Sequence, residues 1–164
     1  MSHPNFIQIG NNRNLLLEWQ EKITCKRKLH LDAYYHYSKI NTAIGIAIII
    51  LSSLTGAAGL GTFHLKNIPI PIIIGVINIC TAILSSVQHF CKFSTKAHVN
   101  EKISIDFSNL NRVIETILVH DPIENKDVED ICQKYNTIMN NETALPRTLL
   151  RQNSAIKKIQ FVHT

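Results

Sequence analysis

Eight histidines and four cysteines are the residues of this 164-residue chain best suited to metal binding or acid–base chemistry, and their spacing argues against both. His30 and His36 stand six apart, His64 falls at a turn signal and His89 at the edge of an apolar run, so no H-E-x-x-H motif or converging carboxylate pair forms. The histidines therefore read as surface or interfacial side chains. Cys25, Cys80, Cys91 and Cys132 contain no C-x-x-C pair, which speaks against a zinc site and a disulfide framework. Asp127, Glu129 and Asp130 lack the Gly and terminal Glu of a calcium loop and read as a solvated helix face. No serine sits in a nucleophile elbow and no Gly-rich phosphate loop occurs. The expectation is a protein without catalytic residues, cofactor or metal, and not an enzyme.

The chemistry the sequence does offer lies in small and polar residues set among apolar ones. Between Lys39 and Lys66 lie 26 residues without a charge, and between Lys66 and Lys92 another 25. Both runs exceed the ~18 residues that mark a membrane span. Inside lipid, a polar side chain costs insertion energy and a small one permits close helix approach. Thr42, Gly45, Ser52, Gly56 and Gly59 share one face of the first run, and Gly75, Asn78, Thr81, Ser85 and His89 recur along the second. Two uses are open to these stripes: pressing together within a helical pair, with Ser and Thr bonding across, or lining an aqueous path in an assembly of several copies. Asn78 stands out, because an amide near mid-span must find a protein or water partner. Neither run holds a carboxylate, Lys or Arg, which leaves proton pumping and charged selectivity rings unsupported.

The elements that would position these stripes are all helical. Spans are expected at about 40–60 and 70–90, joined by a turn carrying Gly61, Lys66, Asn67 and Pro69, with Pro71 near the start of the second helix. Residues 1–13 are polar and read as a tail, with no secretory signal ahead of the spans. Eight Lys or Arg flank the outer ends of the spans against Lys66 alone in the loop, which predicts both termini in the cytoplasm. The N-x-T sequon at 141–143 would then face the cytosol. Tyr34, Tyr35 and Tyr37 precede the first run as an interfacial aromatic belt. Residues 1–100 carry nine basic residues against three acidic, the remainder eight against nine, so the basic excess belongs beside the membrane. A pI near 9.1 without a polybasic arm and interleaved aromatics does not indicate nucleic acid.

Outside the spans, Leu16, Trp19 and Ile23 begin a helical stripe near Asn14, interrupted by Lys26, Arg27 and Lys28, which read as solvated or facing headgroups. Ile103, Phe107, Leu110, Ile114 and Ile117 alternate spacings of four and three, a heptad-like seam that needs a partner helix. Residues 14–38 of the same chain, or a second copy, could supply it. Asp121, Pro122 and Glu124 predict a new helix capped at Asp121, with Val128, Ile131, Tyr135 and Ile138 as its apolar stripe and Asn140 and Asn141 at its end. Leu149, Leu150, Ile156 and Ile159 suggest a last short helix or a tail.

This arrangement resembles the SLATT family, two-transmembrane effectors of prokaryotic conflict systems. The similarity covers roughly residues 14–120, carried by R-K-L-H-L-D-A-Y-Y-H-Y at 27–37 entering the first span and L-S-S-L-T-G at 51–56 within it. The resemblance implies a pore-forming or membrane-perturbing effector triggered through a sensor or nucleotide-signalling partner, here a separate protein, and supplies no catalytic residues. The fold class expected is all-α: an integral membrane hairpin with two spans, cytoplasmic helices flanking it over 14–120, and a cytoplasmic helical extension over 121–164. The partners expected are the lipid bilayer, further copies of the chain and a sensor or structural protein. Two functions follow: an oligomeric pore-forming effector, or a non-conducting anchor that docks a partner through the 103–117 seam.

Overall fold

The computed structural model describes residues 5–60, 70–119 and 123–142, with 145, 146 and 149. They form four helices and, among the described residues, no strand: α1 (Asn5–Leu60), α2 (Ile70–Cys91), α3 (Phe93–Val119) and α4 (Asn125–Asn140). The first runs 56 residues without interruption, roughly 84 Å at 1.5 Å per residue. No Pro or Gly occurs between Gly10 and Gly45, so nothing stops a helix once it has started. α1 begins at Asn5, inside the stretch expected to be a polar tail, continues through Gly10, and passes straight through the Lys26–Lys28 block and the tyrosines into the apolar run.

The second helix begins at Ile70, with Pro71 in its first turn, where a missing N–H is tolerated. It ends at Cys91, and Lys92, at φ 48°, takes the left-handed conformation before α3 starts. That conformation costs a side-chain-bearing residue roughly 1–2 kcal/mol, and it divides what would otherwise be one helix into two. α4 differs from expectation at its start. Glu124, not Asp121, is the N-cap, in a capping box in which the Glu124 backbone N–H donates to the Asp127 carboxylate at 3.1 Å. Glu124 itself is extended, at φ −81° and ψ 151°, and Ile123 just before it is buried in the core. Asp121 and Pro122 lie outside the described residues, as does most of the apolar pattern beyond Pro146.

The chain divides into two compact units, with boundaries at Tyr34/Tyr35 and Ala97/His98. The first combines the early part of α1 with most of α3 and all of α4. Its core holds Leu16 and Ile23 of α1, Ile103, Phe107, Leu110 and Ile114 of α3, then Ile123 and Ile131. The 103–117 seam is therefore covered by helices of its own chain: its first four members are buried, and Ile117 packs partly buried against them. Burying each of these large side chains stabilises by roughly 1.5–3 kcal/mol. Trp19 packs tilted against Tyr135, with ring centres 5.5 Å apart, and Tyr135 lies 6.1 Å from Phe107, so aromatic rings from all three helices meet.

The second unit holds the rest of α1, all of α2 and the first residues of α3, and it reverses this pattern. Ile49, Leu54, Ile72, Ile79 and Ile83 are each more than half exposed. Helices α1 and α2 each carry an 18-residue stretch of mean hydropathy 1.8, long and apolar enough to cross a membrane, and none of either stretch is buried.

Candidate functional site

The sequence-identified residues of the apolar helices fall largely on exposed surface. Thr42, Ser52, Gly56, Asn78 and Ser85 are exposed, and Gly45, Gly75 and Thr81 are half-buried. Gly59 lies in the last turn of α1, where side-chain surroundings are outside the described residues. A Cβ added at Gly56 or Gly75 would meet nothing within 4 Å, whereas one at Gly45 would lie 3.9 Å from Gln88 Nε2. The Thr81 hydroxyl bonds back along its own helix to Ile77 at 2.9 Å, as do the neighbouring Ser53 to the Ile49 carbonyl at 2.7 Å and Ser86 to Ala82 at 2.8 Å. This i to i−4 bonding satisfies a hydroxyl wherever water is lacking. The bond that does cross from α2 to α1 joins two amides, Gln88 Nε2 donating to Asn41 Oδ1 at 3.0 Å.

Around that bond lies a cleft of ≈ 660 Å³. Asn41 of α1 faces it together with Ser85, Gln88 and His89 of α2, and Lys92, Ser94 and Thr95 complete the lining. Tyr37 packs nearby against Phe93, with rings 6.5 Å apart, and the Lys96 ammonium lies 5.8 Å from the Tyr37 ring centre. Tyr35 is 60% exposed and Tyr34 half-buried, so the three tyrosines of the proposed belt have unequal surroundings.

The first unit contains a polar cluster that motif spacing did not disclose. His30, expected at a surface, is wholly buried and stacked on Phe107 at 5.9 Å. Its Nδ1 lies 2.9 Å from Asn100 Oδ1 and its Nε2 3.1 Å from Glu142 Oε1. An imidazolium donates to both oxygens at once; a neutral ring donates to one and accepts from the Asn100 amide when that amide is turned. Lys26, expected to be solvated, donates to both carboxylate oxygens of Glu142 at 2.9 and 3.0 Å, while Arg27 and Lys28 are exposed as expected. Burial pushes the Glu142 carboxyl up, but the hydrogen bonds from His30 and Lys26, together with their charges, outweigh it and hold the group below its ordinary 4.5. Burial, then the charge of Glu142, pushes the Tyr135 phenol above 10.0. His30 is fully enclosed while Lys26 and Glu142 are only partly buried, and the cluster forms a clasp between α1, α3 and Glu142, two residues past the end of α4.

A signal for this clasp was present in the heptads. Leu16 and Ile23 lead, seven residues on, to His30, and the 103–117 seam extended back by three reaches Asn100. Both polar residues occupy core positions of facing helices, and a buried polar residue at such a position needs a partner from the opposite seam. Glu142 carries no comparable mark, since it lies beyond α4.

Among the described residues no group of three or more His, Cys, Asp or Glu could hold a metal ion. The fold and its surface thus define an all-helical chain with one buried-core unit and one unit of exposed apolar helices. No family model matches the chain, and no curated protein or solved structure does.

Proposed function

We propose that the chain is a two-span membrane protein. Its apolar helices cross lipid as a hairpin, with both termini cytoplasmic, and copies assemble into a pore-forming or membrane-perturbing effector. The observation that carries the membrane reading is the exposure of the apolar stretches: a helix of this hydropathy in a soluble protein is mostly buried, and here neither stretch is. The concentration of Lys and Arg outside the span ends supports the orientation.

Assembly follows from Asn78. Its amide is exposed on α2, and leaving such a group unpaired in hydrocarbon costs several kcal/mol, about 4–8 on a cyclohexane scale. A second copy, or water held between copies, removes that cost. The resemblance of residues 14–120 to the SLATT family supports an effector role triggered through a sensor or nucleotide-signalling partner. A non-conducting anchor would have to dock its partner elsewhere than on the 103–117 seam, because the chain's own helices cover that face.

The test is ion flux from liposomes carrying the full chain. The wild type should leak, and Asn78→Leu should leak several-fold less while remaining in the membrane fraction. Equal flux from both, or none from the wild type, rejects the pore.

A further inference from the structure

The cleft beside the α2–α3 junction offers many hydrogen-bond donors and no negative charge. Lys92 brings three N–H groups, His89 at least one, and Ser85, Ser94 and Thr95 a hydroxyl each. The bond from Gln88 occupies the Asn41 oxygen and leaves the Asn41 amide NH2 to donate elsewhere. No Asp or Glu occurs anywhere between Asp32 and Glu101, so every formal charge near the cleft in sequence is basic. Lys39 and Lys92 are also the first charges outside the two uncharged runs, which places the cleft's lining at the depth where hydrocarbon gives way to headgroups.

We propose that this cleft binds the phosphate of an anionic phospholipid headgroup, an inference that rests on the two-span reading. A volume of ≈ 660 Å³ admits a phosphodiester with its glycerol or a similar small headgroup substituent. Lys92 supplies the charge, and the hydroxyls and amides supply neutral donors that orient the phosphate oxygens without introducing repulsion. A zwitterionic lipid offers the same phosphate but brings an ammonium beside Lys92, so the cleft discriminates against it.

The test uses the full chain in detergent micelles, with native mass spectrometry counting bound phosphatidylglycerol against phosphatidylcholine. The wild type should retain phosphatidylglycerol about fivefold more tightly, the preference expected of one interfacial cation. Lys92→Asn removes the charge with a residue that accepts the left-handed backbone, and should abolish the preference with helicity unchanged. Lys39→Gln removes a neighbouring charge that does not line the cleft and should leave the preference in place. No preference in the wild type, or equal loss in both variants, overturns the proposal. A third arm adds millimolar inorganic phosphate: lipid retained means the headgroup is the ligand, and lipid displaced means the cleft is a soluble-phosphate site and the lipid assignment falls. Membrane insertion is read separately by alkaline carbonate extraction of the wild type. Loss of the chain there sinks the two-span reading, whereas loss of lipid preference in an inserted chain sinks the cleft alone.

Discussion

Glu142 illustrates how a single side chain acquires its properties from neighbours that are distant in sequence. Its carboxyl is held below 4.5, so the folded state prefers the charged form more strongly than the unfolded chain does. The resulting stabilisation is complete above the unfolded carboxyl's range and is lost as pH falls through the lower, folded value. Urea unfolding followed through Trp19, the single tryptophan and a neighbour of Tyr135, should therefore show stability falling as the pH drops below the unfolded carboxyl's range. The decline should be shallower in Glu142→Gln, which keeps an acceptor and loses the titration; identical slopes would mean the clasp contributes nothing. His30→Ala leaves Asn100 and Glu142 short of a buried partner and should cost about 2 kcal/mol at neutral pH by the same measurement. Tyr135 has the opposite sign. Its raised pKa gives stability that is present below about 10 and lost at higher pH, and Tyr135→Phe should remove that alkaline decline.

At the scale of elements, α4 is held by few anchors. Ile131 is the one buried residue within it, with Val128, Tyr135, Ile138 and Met139 packed partly buried around the core. Ile131→Ala should cost about 2–4 kcal/mol, seen as a lower urea midpoint and earlier proteolysis within 125–140. Phe107 sits between His30 and Tyr135, so Phe107→Ser should unfold the first unit rather than expose a docking face. Loss of Trp19's folded signal measures it, and a well-folded variant would contradict the packing described. The stripes in α3 and α4 were legible because a 3.6-residue period records which face is covered. The cap of α4 was not, because Asp-Pro and Glu-x-x-Asp are both competent helix starts and the local sequence does not choose between them.

For the molecule as a whole, the contrast between its two units sets the expectation. A chain whose extensive apolar surface, among the described residues, lies on α1 and α2 should resist alkaline carbonate extraction and need detergent to stay dispersed. Replacing Ile49 and Ile79 together by Lys should release it from membranes while leaving the first unit's Trp19 signal intact, because these residues are 65% and 61% exposed and belong to the other unit. Retention of that variant in the membrane fraction would count against the spanning helices.

The helical class, the two uncharged runs and the apolar faces of α3 and α4 were legible before any packing was known, since each is recorded in hydropathy and period along a single element. His30 was expected at a surface, and its burial against Asn100 was a correction that only the packed helices supplied. The tertiary structure alone decided that Lys26, His30 and Asn100 converge with Glu142, that Gln88 bonds Asn41, and that the resulting polar cleft opens beside Lys92. Those pairings join residues from 47 to 116 positions apart, and partners so separated leave no periodic trace: they meet because packing of the apolar faces brings them together.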